Sequence, residues 1–209
     1  MSADLHPAPS AGATEAADPV RTLLANGPRE DPAGEAFEAL QWATWNGRML
    51  LPEELDTLLA LAGRVNGPRV LAEAWFGDVL SFDALSGVVG SVWSTAEYPD
   101  VSLDRDEWRE MFAAAGFTVD GERAELPEGP VELWRGSVPD RRDDWSWSTE
   151  REIAEKYARG KFRRPPGRLY RVLAPSSALL CFNSGRGESE YVVDVEGLDV
   201  VEVAAFDGA

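Results

Sequence analysis

Two carboxylates one residue apart, Glu188 and Glu190, open the run GRGESEYVVD at residues 185–194. Alternate residues of a β-strand share a face, so both side chains leave one side of this run while Tyr191 and Val193 take the other. Such a pair is either a solvated edge or two groups aimed at one bound molecule, because neighbouring carboxylates raise the proton affinity of one of them and suit it to act as a base. Upstream, Arg135 ends VELWRG on the side of Val131 and Leu133, so a guanidinium follows two core-type residues. Ser146 and Ser148 share one side of DWSWS, opposite Trp145 and Trp147. Each feature taken alone is compatible with an ordinary wet strand face.

The elements that must position these groups are legible from periodicity. Alternating segments at 131–136, 144–148, 168–173, 178–183, 189–194 and 200–205 read as strands, separated by turn formers such as Pro165-Pro166-Gly167 and Pro175-Ser176-Ser177. Thr149-Glu150-Arg151-Glu152 has the form of a capping box opening a short helix through Ala158, with Ile153, Ala154, Tyr157 and Ala158 on its buried face. Gly185-Arg186-Gly187 reads as a flexible loop leading into the last carboxylate pair.

Before residue 116 the pattern is helical. Phe37, Leu40, Trp42 and Trp45, then Leu55, Leu58, Leu59 and Leu61, then Val70, Leu71, Ala74 and Trp75 recur at helical spacing. Pro52-Glu53-Glu54 suits a first helical turn, and a helix from Asp104 should end near Gly116. Trp42, Trp45, Trp75, Trp93 and Trp108 are expected to pack a small bundle. Residues 1–33, rich in Ala, Pro and small polar residues, read as a disordered leader. The expected organisation is therefore α+β: leader 1–33, helical region 34–120 and a strand-rich unit 121–209.

Bulk properties narrow the function. A chain of 209 residues with formal charge -17 and isoelectric point near 4.4 repels polyanions, which makes nucleic acid an unfavourable partner. His6 and Cys181 are the sole residues of their types, so neither a disulfide framework, a Cys/His metal site nor a histidine-based triad is expected. The start has no basic segment followed by an apolar core, and no run is apolar enough to span a bilayer. The expected compartment is a reducing cytoplasm, with no membrane partner. The run from Lys156 to Arg171 carries seven cations and no acid, which either offsets neighbouring acids or marks an anionic ligand. Neither a Gly-x-Gly-x-x-Gly nor a Walker loop is present, which disfavours Rossmann and P-loop nucleotide binding.

LWRG, SWSTEREIAEKYA and GESEYVVD together, in that order, resemble the Arg-Ser-Glu class of mono-ADP-ribosyltransferases, which includes the clostridial binary toxin enzymes and many bacterial proteins. The resemblance covers roughly residues 130–203 and implies a split β-sandwich that uses NAD as co-substrate without a metal. It implies that Arg135, followed by Gly136, holds the NAD phosphates or the nicotinamide-side ribose, a task suited to a planar five-donor cation. Ser146 takes the first Ser of the family's Ser-Thr-Ser motif, Trp147 stands where the family has Thr, and a shifted alignment puts Ser148-Thr149 there instead. These strand residues would line the nicotinamide pocket and bond the catalytic glutamate.

By the same resemblance Glu190 is the catalytic glutamate, favouring the oxocarbenium character that develops as the nicotinamide-ribose bond breaks. Glu188 orients or deprotonates the nucleophile, and a Glu at this position accompanies arginine acceptors, so a protein arginine is the implied target. Lys161, Arg163 and Arg164 become phosphate contacts. The implied activity is transfer of ADP-ribose to a macromolecule with release of nicotinamide, either as a toxin or as a regulator. NAD hydrolysis and a catalytically silent NAD- or ADP-ribose-binding module are the alternatives. The oligomeric state is not encoded in any of these patterns.

Overall fold

Proline and acidic caps set most of the helix starts. The computed structural model describes residues 18–28, 30–160, 165–187 and 189–206. Its helices are α1 (Pro19–Asn26), α2 (Pro32–Trp45), α3 (Pro52–Phe76), α4 (Phe82–Thr95), the single turn α5 (Pro99–Ser102), α6 (Arg105–Ala115) and α7 (Arg151–Ala158). Asp18, Asp31 and Ser81 accept hydrogen bonds from first-turn amides of α1, α2 and α4, and Asp104 with Glu107 closes a capping box on α6. The expected helix from Asp104 to Gly116 is thus found. The box expected at Thr149 does not form: the N-cap of α7 is Glu150, whose amide donates to Ser148 Oγ at 3.0 Å. Ser148 is still held in a strand, so the turn into the helix begins later.

The strands are β1 (Thr118–Val119), β2 (Glu122–Arg123), β3 (Val131–Ser137), β4 (Ser146–Ser148), β5 (Arg168–Ala174), β6 (Leu179–Asn183), β7 (Glu190–Val193) and β8 (Val201–Ala205). The six longer ones match the alternating segments of the sequence. They form one mixed sheet in the order β2-β1-β6-β7-β4-β3-β5-β8, antiparallel except where β1 runs parallel to β6. The fold is α+β. β3 pairs with β5 continuously from Val131 to Ser137, but meets β4 only at Trp134 opposite Ser148. The sheet is therefore narrowest where β3 and β4 part.

Two boundaries drawn on composition are corrected. The segment 1–33 is not a structureless leader throughout, because Pro19–Asn26 is α1 and buries Val20 and Leu23; residues 1–17 lie outside the described residues. The boundary at 120/121 falls inside the β1–β2 hairpin, whose Asp120 and Gly121 both have positive φ, as a tight hairpin turn requires. The two halves share one core: Leu40, Leu55, Leu58 and Leu71 of the helices belong to the same cluster as Leu133, Trp147, Tyr170 and Val192 of the sheet. Burial of apolar area drives this union, because the helices leave one face uncovered and the sheet needs a cover. Trp45 departs from the expected bundle core and is 82% exposed.

A buried carboxylate locks the N-terminal end of α3. Glu54 accepts two hydrogen bonds from Arg48, at 2.8 and 2.6 Å, and one from the Leu51 amide at 2.9 Å, while Arg48 also pairs with Asp18 at 2.7 Å. The Arg48 guanidinium holds the Glu54 carboxyl below its ordinary value of 4.5 despite burial. A depressed folded pKa contributes stability that is fully present above the unfolded value and lost as pH falls through the folded one. Wild type should accordingly lose more unfolding free energy than Glu54→Gln as pH is lowered to about 3, measured by urea titrations at several pH values.

α7 packs on β3 at van der Waals limits. A Cβ on Gly136 would sit 1.9 Å from the Ala154 carbonyl oxygen and 2.5 Å from the Ala158 nitrogen, both backbone atoms that cannot yield. Gly136→Ala is expected to cost about 3 kcal/mol or more, the upper range for overpacking, read as a fall in melting temperature of several degrees.

Candidate active site

The strand residues singled out by sequence lie on neighbouring strands. Arg135 is on β3, Ser146 and Ser148 on β4 and Glu190 on β7, and the order β7-β4-β3 makes these strands adjacent. Register completes the arrangement: Ser148 stands opposite both Trp134 and Glu190. Arg135, Gly136, Ser146, Trp147, Ser148 and Glu190 all line one cleft of about 200 Å³. It opens where β3 and β4 part, and Ile153, Ala154 and Tyr157 of α7 close one side. Glu188, Lys161, Arg163 and Arg164 lie outside the described residues. Gly185–Gly187 forms a 3-10 turn.

The guanidinium of Arg135 is a junction within the protein. Nε donates to the Arg141 carbonyl at 3.0 Å, Nη1 to the Ser146 carbonyl at 2.6 Å, and Nη2 to Asp144 Oδ2 at 2.6 Å. Asp144 also pairs with Arg141 at 2.8 Å, and Arg141 reaches Asp100 at 3.5 Å. Arg135 and Asp144 keep only 13% and 14% of their side chains exposed. A fork of donors is the geometry that can tie β3 to the diverging start of β4 where backbone pairing has stopped.

Trp147 lines the cleft but is 1% exposed, and its indole N–H donates to the Asp144 carbonyl at 2.8 Å. The residue between the two serines is thus a core side chain that helps hold the Asp144 turn. Gly136 acts through absence of a side chain, admitting α7 to the cleft wall.

Helical residues that no sequence signal pointed to complete the site. On α4, Trp93 Nε1 donates to Ser146 Oγ at 3.2 Å, and its ring stacks on Trp145 with centroids 5.2 Å apart and planes 21° from parallel. The next residue, Ser94, donates to Glu190 Oε2 and accepts from Asn183 Nδ2 at 2.8 Å. Arg64 and Arg105 also line the cleft, and neither takes part in an ion pair among the described residues. Arg105 lies over the Trp145 ring, 5.8 Å from its centroid. The helical period accounted for Trp93 as core, and nothing in a single sequence links position 94 to position 190.

Cys181 is buried behind Glu190, and burial followed by the Glu190 charge pushes its thiol far above the ordinary range. It is therefore an inert neutral neighbour rather than a nucleophile. Among the described residues no cluster of His, Cys, Asp or Glu is arranged to hold a metal, and no helix is long and apolar enough to cross a membrane.

No family model, curated protein or solved structure matches this chain.

Asp144 is the carboxylate shared by Arg135 and Arg141, so removing it takes a close anionic partner from both guanidinium groups. Asp144→Ala is expected to lose about 3 kcal/mol, as when one partner of a buried pair is deleted. Asp143→Ala, which removes an exposed pair with Arg142, should leave the urea midpoint near the wild-type value.

Proposed function

We propose that this protein cleaves the bond between nicotinamide and ribose in NAD and transfers ADP-ribose to a macromolecule, a protein arginine being the implied acceptor. The observation that carries the reading is the convergence of Arg135, Ser146, Ser148 and Glu190, far apart in sequence, on one cleft between adjacent strands. The described strands form one mixed sheet rather than the split β-sandwich that the resemblance implies, so the reading rests on the cleft and not on the fold.

Its size suits part of a dinucleotide. Pockets for whole drug-sized ligands commonly span about 300–1,000 Å³, so about 200 Å³ accommodates nicotinamide and its ribose while the adenylate end lies outside. Glu190, half-buried beside that volume, supplies negative charge next to a ribose whose C1′ becomes electron-poor as the C–N bond breaks. The bonding pair leaves with nicotinamide and neutralises its ring. The incoming guanidine nitrogen then forms the new bond to C1′ and gives up a proton to a base, the role the resemblance assigns to Glu188. The positions of Arg64 and Arg105 at the cleft suit them to the pyrophosphate, since Arg135 is already committed to Asp144 and two carbonyls.

That commitment favours a second reading, a silent NAD- or ADP-ribose-binding module built on the same cleft. Labelled NAD incubated with the purified protein and a bacterial lysate separates the readings. Transferase activity gives a labelled protein, hydrolysis gives nicotinamide without label, and a module gives calorimetric binding without turnover. Glu190→Gln should lower nicotinamide release at least about 100-fold without a change in melting temperature; wild-type rates in that variant would overturn the enzymatic reading.

A further inference from the structure

We propose that Ser94 on α4 is a positioning residue for Glu190, so that the helical region completes the active site rather than merely covering the sheet. This rests on the reading of Glu190 as the catalytic carboxylate. The polarity of the contact chain follows from donor chemistry. An amide nitrogen only donates, so Ser94 Oγ accepts from Asn183 Nδ2 at 2.8 Å. A carboxylate only accepts, so the single hydroxyl proton of Ser94 goes to Glu190 Oε2. Asn183 stands opposite Glu190 in the β6–β7 pairing, and its amide also donates to the Gly90 carbonyl at 3.3 Å. One side chain thus holds the helix and, through Ser94, aims the carboxylate.

A second observation concerns the helix that carries Ser94. A Cβ on Gly90 would lie 2.9 Å from Cys181 Sγ and 3.1 Å from Asn183 Oδ1. α4 therefore approaches β6 as closely as a glycine allows, one turn before Ser94. Trp93, beside Ser94, fixes the same helix to Ser146 on β4. Helix α4 consequently touches the serine and the glutamate strands through consecutive residues.

A hydrogen bond from a fixed donor sets the direction in which a carboxylate points. Ser94 therefore holds Glu190 toward the ribose as cationic character develops.

The test compares Ser94→Ala, Ser94→Cys and Ser94→Thr with wild type and Glu190→Gln, using nicotinamide release from NAD. In Ser94→Ala and Ser94→Cys, kcat should fall about 10- to 100-fold, the value of one hydrogen bond to a charged group, with KM for NAD within about twofold, and Ser94→Thr should restore kcat. Wild-type kcat in Ser94→Ala, with Glu190→Gln inactive, would overturn the positioning role alone, as would a loss in Ser94→Ala that falls on KM rather than on kcat. An active Glu190→Gln would overturn the catalytic reading beneath it.

Discussion

The close seat of α4 on the sheet governs the rest of the molecule. Gly90 lets the helix backbone reach Cys181 and Asn183, and that approach brings Trp93 to Ser146 and Ser94 to Glu190. The same seat lets Trp93 stack on Trp145 and meet Trp108 edge to face, with centroids 5.0 Å apart. Dense packing transmits small displacements, because interiors have few voids into which a shifted helix could relax. The cleft geometry and the shared core are thus one mechanical unit, and neither half of the chain carries the site alone.

The opposite flank of the cleft depends on charge rather than on packing. β3 and β4 cease to pair beyond Trp134 and Ser148, so the backbone there lacks a ladder to hold it. Arg135 and Asp144 replace the ladder with a fork of side-chain bonds, and Trp147 braces the turn through the Asp144 carbonyl. Burying such charges costs solvation unless every donor is matched. Here three directions of the guanidinium are matched by protein oxygens, which shapes the cleft.

The α+β class was legible because strand and helix impose different periods on apolar residues. VELWRGS, RLYRVLA and LLCFN alternate, and the structure makes each a strand. Boundaries were less legible. Pro19–Asn26 is short and sits in a proline-rich context, yet it is held because Val20 and Leu23 find an apolar surface supplied by distant helices. Thr149 has capping chemistry, but Ser148 remains tied to two strands and the cap passes to Glu150. Tertiary pairing outweighed local propensity in both cases.

Residue types and order by themselves determined that Arg135, Ser146, Ser148 and Glu190 belong to strands and present side chains on definable faces, since strand geometry is a local property of the backbone. They also determined the acidic balance and the scarcity of His and Cys. Tertiary structure alone decided which strands are neighbours, because sheet order is set by long-range burial and leaves no mark on local spacing. It alone decided that Arg135 faces Asp144 and that Ser94, 96 positions before Glu190, donates to it. A hydroxyl on a helix carries no sequence signal of its partner until packing brings the two within hydrogen-bond reach.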